Sequence, residues 1–309
     1  MKSKEMTFPA EDGTKIYYHQ WLPEKKESVK AVVQIAHGMA EHSNRYAGFA
    51  KALTKDGYAV YANDHRGHGQ TAGSLENVGY FADQDGWNLV VDDMYQLTQR
   101  IKKDYPNVPV FLFGHSMGSF LSRQYIFLYG NELKGVILSG TGGDPGLLGK
   151  IGSLVAKRES KNKGDKFRSQ LLKKLSFGKF NKAFKPNRTE FDWLSRDDTE
   201  VDKYVKDPYC GGDFTAGFYQ DLMYGLRAIN NQKNTQKVPK NLPVYLFSGD
   251  KDPVGNKTKG VKQIFKVYEK AGVKDVSCKF YKDGRHEMLN ETNREEVFKD
   301  IISWLCSHL

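Results

Sequence analysis

The sequence predicts an α/β fold, a mostly parallel central sheet covered by helices on both faces, with a helical insertion between two of its strands. Three observations lead there. Short β-branched runs alternate with helical patterns from the start of the chain to about residue 143. The rhythm breaks over residues 144–240, which are rich in lysine and helical pattern and poor in strand-like runs. It resumes at residue 244 and holds to the C-terminus.

Taken in order, KIYYHQWL at Lys15–Leu22 reads as a strand, and AVVQIA at Ala31–Ala36 as a strand buried on both faces. Residues 44–55 carry a helical pattern and residues 58–62 a strand pattern. Residues 87–103 form a helix, with Asp85 as its N-cap. VPVFLF at 108–113 is a strand, 119–129 a helix, and GVILS at Gly135–Ser139 a strand. Beyond the break come a strand at 244–247, a helix at 257–270, a strand at 277–281 and a terminal helix at 294–305. The expected organisation is a core in two parts, residues 1–143 and 241–309, with residues 144–240 inserted as a helical lid. No internal repeat or low-complexity tract interrupts it.

Composition narrows the class. A chain of 309 residues, 39% of them apolar, suits one large α/β domain with room for an inserted subdomain. No apolar run approaches the ~18 residues that span a membrane. The charges of Met1-Lys2-Ser3-Lys4-Glu5 are not followed by an apolar stretch, so no signal peptide is expected. Cys210, Cys278 and Cys306 are odd in number and show no metal-ligand spacing, as expected of reduced thiols in a cytoplasmic protein.

The chemistry centres on Gly114-His115-Ser116-Met117-Gly118, a G-x-S-x-G pattern. The bare pattern is weak, but here it follows an apolar strand and opens a helix, the context a nucleophile elbow requires. A tight turn pushes the serine hydroxyl out over the sheet, and a Cβ at either glycine would collide with neighbouring backbone. The helix behind it favours developing negative charge. A serine needs a base, and in this arrangement an acid and then a histidine follow it in sequence. SGDKDPV (248–254) and GRHE (284–287) each lie directly after a strand. Asp250 and Asp252 are two residues apart, so an extended segment cannot point both at His286. His308, in the terminal helix, reads as a surface residue. Tetrahedral intermediates need two N–H donors, expected from Met117 and from Met39 in the loop His37-Gly38-Met39.

These residues resemble a known family. HGMAEHSNRY (37–46), NDHRGHGQT (63–71), DYPNVPVFLFGHSMG (104–118), SRDDTEVDKYVKDP (195–208), SGDKDPV and GRHEMLNE (284–291) occur in the order seen in the monoacylglycerol lipases and lysophospholipases of the α/β-hydrolase superfamily, often grouped as serine aminopeptidase S33 domains. The resemblance implies an α/β-hydrolase fold and a triad of Ser116, Asp252 and His286. It implies Met39 and Met117 at the oxyanion hole, a lid over an acyl tunnel, and no metal or organic cofactor. The implied activity is hydrolysis of a single-chain acyl ester through an acyl-enzyme on Ser116. Short-chain carboxylesterase, acyl thioesterase, peptidase or acyltransferase activity would use the same groups, and a non-catalytic ligand receptor could share the scaffold.

The net charge of +10 sits in one place. Residues 145–190 hold 13 Lys/Arg against 3 Asp/Glu, so the rest of the chain sums to zero. Such a patch can mark a nucleic-acid binder, but here it interrupts an enzyme-like chain, and no nucleic-acid partner is expected. Leu147, Leu148, Ile151, Leu154 and Val155, and then Leu and Phe between 167 and 184, are interleaved with the lysines. That is the pattern of an interfacial helix on an anionic membrane. The simpler alternative is a solvated lid whose apolar side covers the acyl tunnel.

Overall fold

Eight strands form one sheet in the order β1-β2-β4-β3-β5-β6-β7-β8 in the computed structural model, which describes residues 1–24 and 29–309. They are β1 (Lys2–Pro9), β2 (Lys15–Leu22), β3 (Ala31–Ala36), β4 (Tyr58–Asn63), β5 (Val110–His115), β6 (Gly135–Ser139), β7 (Val244–Gly249) and β8 (Val276–Tyr281). From β4 to β8 all neighbours are parallel; β2 runs antiparallel to both β1 and β4. This is the expected α/β-hydrolase sheet.

Side chains of a strand alternate between faces, and β5 shows what that builds. Phe111 and Phe113 join a core with α1 (Ala47–Lys55) and α10 (Arg294–Ser307). Leu112, between them, joins the opposite core with α2 (Gly86–Asp104), α3 (Met117–Tyr129) and α9 (Lys259–Lys270). Every residue of β5 is buried, so its sequence is a continuous apolar run rather than an alternating one. Truncating Leu112 to alanine would remove about 2–5 kcal/mol through lost burial and the cavity left behind.

Three details differ from the sequence expectation, each for a physical reason. The strand expected at 108–113 begins two residues later, because Pro109 has no N–H to give the ladder and only its carbonyl is used, by Val32. β1 is an additional strand that hydrophobic periodicity cannot signal, since only Phe8 of its eight residues is buried at this sheet edge. Asp85 does precede α2, but with φ 55° and its carboxylate on Asn88 Nδ2 (2.6 Å). The N–H groups of Gly86 and Trp87 are capped instead by Asp221.

Between β6 and β7 the chain leaves the sheet for α4 (Gly146–Lys163), α5 (Gln170–Phe177), α6 (Asp198–Lys206), α7 (Ala216–Ile229) and α8 (Gln232–Thr235). α7 packs against α2 and α3, and α4 lies on α7. The seam of α4 is formed by its small buried residues, Gly152 and Ala156. Among the described residues no helix is long and apolar enough to cross a membrane.

Candidate active site

Ser116 stands between the end of β5 and the start of α3 with φ 51° and ψ −119°. Non-glycine residues rarely adopt this backbone region, and it persists only where the surroundings over-determine it. Here the Ser116 N–H donates to the Ser139 carbonyl of β6 (2.9 Å), while its own carbonyl accepts from the N–H groups of Ser119 (2.9 Å) and Phe120 (3.2 Å). The Ser119 hydroxyl donates to the same carbonyl at 2.5 Å. The flanking glycines are required by close approach: a Cβ on Gly118 would stand 2.0 Å from the Ala36 oxygen, and one on Gly114 2.5 Å from the Gly118 oxygen.

His286 and Asp252 come from the loops that follow β8 and β7. Both are buried, and His286 Nδ1 lies 3.0 Å from Asp252 Oδ1. The same oxygen accepts from the Val254 N–H at 2.9 Å. Among the described residues, Asp252 Oδ2 is buried with no protein partner. Asp250 faces elsewhere: its Oδ1 accepts from the Asp283 N–H (2.9 Å), which ties the two loops together. His308 pairs with Asp275 at 3.0 Å.

The histidine loop is held from the insertion as well. The Glu287 N–H donates to the Leu194 carbonyl (2.7 Å) and the His286 N–H to the Trp193 carbonyl (3.4 Å). The Trp193 ring lies 5.1 Å from the imidazole, and the His115 ring 4.7 Å on another side. Burial disfavours the imidazolium of His286. The Asp252 carboxylate, with smaller help from Glu287 and Glu41, outweighs burial and moves the pKa above the ordinary histidine value. His115 instead meets the Ser139 hydroxyl (3.1 Å), and burial, then the nearby His286, push it down to about 4, which keeps it neutral.

Ser116 and His286 share the wall of one cavity of about 610 Å³. Gly38 and Met39, from the loop after β3, line it beside them, and Phe177, Phe191 and Trp193 line it from the insertion. Met117 contributes its backbone at the first position of α3, while its side chain is buried in the core. A hydroxyl, an imidazole paired with a buried carboxylate, and a helix N-terminus at one cavity are the groups that nucleophilic acyl transfer requires.

One part of the site was not assigned from sequence. Glu41 Oε1 accepts from the Gly38 N–H (2.6 Å) and the Tyr46 hydroxyl (2.9 Å), and Glu41 Oε2 accepts from Arg45 (2.7 Å). Arg45 also grips Glu287. Burial alone would raise the Glu287 carboxyl, but the adjacent Arg45 guanidinium wins and holds it at about 2. The signal was in the motifs: HGMAEHSNRY and GRHEMLNE place charges of opposite sign in two loops that flank the site.

Comparison with known proteins agrees with this fold. The family model described as serine aminopeptidase S33 matches residues 27–293. The chain is 28% identical over 312 residues to the monoacylglycerol lipase of Mycolicibacterium smegmatis, covering 99% of this chain and 98% of that protein. It is 29% identical over 303 residues to the human monoglyceride lipase, covering 95% and 88%. A thermostable carboxyl esterase from Bacillus coagulans superposes with a TM-score of 0.91 at 29% identity, covering 99% of both chains. With the fold, the turn at Ser116 and a match over most of its length, the chain belongs to the serine aminopeptidase S33 family of α/β-hydrolases.

Proposed function

We propose that the protein hydrolyses single-chain acyl esters, of the monoacylglycerol or lysophospholipid kind, through an acyl-enzyme on Ser116. The observation that carries the reading is the buried His286–Asp252 pair on the same cavity as the strained Ser116 turn. The named activities of the relatives support the substrate class.

His286 Nε2 takes the Ser116 proton as the hydroxyl attacks the ester carbonyl. Asp252 accepts from Nδ1–H, fixing the tautomer and stabilising the imidazolium. The N–H groups of Met39 and Met117 receive the oxyanion. Collapse expels the alcohol, which takes its proton from His286. Water, deprotonated by the same imidazole, then attacks the acyl-enzyme and releases the fatty acid. Residues 144–240 act as the lid, with Phe177, Phe191 and Trp193 against the acyl chain. The basic 145–190 segment brings the enzyme to anionic membrane surfaces, where such substrates reside.

The test is Ser116→Ala, assayed on monoacylglycerols and lysophospholipids of varied chain length beside p-nitrophenyl butyrate, an acyl thioester and an aminoacyl amide. Activity on the long single-chain esters should exceed that on the others and fall by ~10⁴-fold or more in the variant. A fluorophosphonate probe should label only the wild type. Equal labelling of the variant would overturn the assignment of Ser116, and a preference for the amide would overturn the substrate class.

A further inference from the structure

A ring nitrogen of His42, a carboxylate oxygen of Asp207 and Cys210 Sγ all lie within 4.8 Å of one another. None of the three belongs to the machinery above. His42 sits in the loop after β3, three residues beyond Met39. Asp207 and Cys210 sit in the turn that follows α6 of the insertion. Linear spacing could not suggest the cluster, because 165 residues separate His42 from Asp207. The turn is preformed: the Cys210 N–H donates to the Asp207 carbonyl (3.0 Å), the Tyr209 N–H donates to Asp207 Oδ1 (2.9 Å), and the Gly211 N–H donates to the Ala40 carbonyl (3.0 Å). Asp207 Oδ2 already meets His42 Nε2 at 2.8 Å.

We propose that His42, Asp207 and Cys210 form a binding site for a borderline-soft divalent cation, Zn²⁺ foremost, with water as the fourth ligand. One imidazole nitrogen, one carboxylate oxygen and one thiolate sulfur are a donor set that Zn²⁺ accepts, whereas Mg²⁺ and Ca²⁺ require oxygen. Three protein ligands leave one tetrahedral position. His42 and Asp207 border a cavity of about 420 Å³ from which water reaches it. The charge balance favours a cation. Burial acts first on the Cys210 thiol, and of the charged groups that act on it the carboxylates of Asp207, Glu41 and Glu287 outnumber the guanidinium of Arg45. On binding, the Cys210 thiol releases its proton to solvent and the Nε2 proton that His42 gives to Asp207 Oδ2 is replaced by one on Nδ1, so that the thiolate, Nε2 and the freed carboxylate oxygen each donate a pair to the metal and the local charge moves toward zero. The ion joins the insertion turn to the loop that carries Met39, so it stabilises the junction between lid and core.

The test uses the full chain with Cys278→Ser and Cys306→Ser, leaving Cys210 the sole thiol, metal-free and reduced. Co²⁺ should bind at one equivalent with a thiolate-to-metal charge-transfer absorption, which Zn²⁺ displaces. Zn²⁺ should raise Tm and shield Cys210 from a thiol reagent. Adding Cys210→Ser should remove the absorption. Asp207→Asn and His42→Gln should each weaken Zn²⁺ binding by more than ~10-fold, since even outer partners of metal ligands cost that much. Absence of the absorption in this single-thiol protein overturns the proposal before any ligand is substituted. So does Zn²⁺ affinity that is unchanged in folded Asp207→Asn and His42→Gln.

Discussion

Arg45 forks onto Glu287, its Nη1 and Nη2 donating to the two carboxylate oxygens at 2.6 and 2.7 Å. Glu287 is the residue after His286, and through Glu41 the same guanidinium reaches the N–H of Gly38. One buried cation therefore connects the loop of the proposed base with the loop of the proposed oxyanion hole. Bidentate charge-assisted bonds fix orientation as well as distance.

Removing that cation should be expensive. Arg45→Met strands two buried carboxylates, and breaking a buried ion pair from one side costs about 3–5 kcal/mol. Urea denaturation should register a loss of that size. Arg45→Lys keeps the charge without the planar fork and should recover only part of it. In folded Arg45→Lys, kcat should fall more than KM rises, since the loops are misaligned while the acyl cavity is intact. A loss below about 0.5 kcal/mol for Arg45→Met would show that the pairing is incidental.

Acid stability should follow Glu287. Its folded pKa of about 2 lies below the ordinary 4.5. Its contribution is therefore fully present above about pH 4.5 and disappears as pH falls toward about 2. Stability measured across that window should drop in the wild type, and Glu287→Gln should flatten the slope. An identical slope in the variant would assign the acid loss to other carboxylates.

The two aspartates after β7 should separate cleanly. Asp252 meets the imidazole, while Asp250 ties the Asp283 turn. Asp252→Asn should lower kcat by ~10³–10⁴-fold, the cost of a histidine held in the wrong tautomer. Asp250→Asn should stay within ~10-fold and act chiefly on stability. Comparable losses in kcat would exclude Asp252 as the orienting acid.

The pH–rate profile should report the same pair. In the proposed mechanism His286 is the neutral base, and its pKa lies above the ordinary 6.5 because Asp252 and the neighbouring glutamates outweigh burial. The acid limb of kcat/KM should therefore inflect above pH 6.5. Asp252→Asn removes the main counter-charge and leaves burial to act, so its residual activity should inflect at lower pH. A limb that does not move in Asp252→Asn would dissociate the profile from this pair.

Some of these features are legible in the sequence and others are not. The turn at Ser116 can be read because Gly114 and Gly118 are dictated by local backbone contact. The loops of Asp252 and His286 can be read because each follows a recognisable strand. Arg45 and Glu287 stand 242 residues apart, and only the folded sheet brings their loops together. The same holds for Asp221, which caps α2 in place of Asp85, and for His42 with Asp207. β1 escapes notice because an edge strand with one buried residue has no apolar period to display.

The basic insertion should meet anionic membrane surfaces through its exposed leucines and lysines. Its sequence allowed one account in which every Leu and Phe merely covers the acyl cavity, and the structure divides that list. Phe177 lines the cavity with Trp193 and Leu194, and Phe180 and Phe184 pack in the same cluster. Leu172 of α5 is buried, and α4 buries only Gly152 and Ala156. Leu147, Leu148 and Leu154 are instead 72%, 73% and 70% exposed, with Leu171 and Leu175 about half exposed at 49% and 52%. Cavity covering explains Phe177, packing in the Trp193 cluster explains Phe180 and Phe184, and neither explains the exposed leucines. They project from the segment that carries the 13 Lys/Arg, and apolar residues beside lysines are what an anionic bilayer interface receives. Each Lys or Arg near such a surface is worth ~1 kcal/mol, screened by salt. Co-sedimentation with vesicles should rise with the anionic lipid fraction and fall with salt. Leu148→Asp with Leu154→Asp should weaken it at every salt concentration, whereas Lys150→Glu with Lys157→Glu should reduce its salt dependence. Hydrolysis of a water-soluble ester should be unchanged in both double variants, since these side chains stand outside the cavity lining. If the wild type ignores anionic vesicles even at low salt, the exposed leucines are not a membrane contact, and the lysines serve only to keep them in solution.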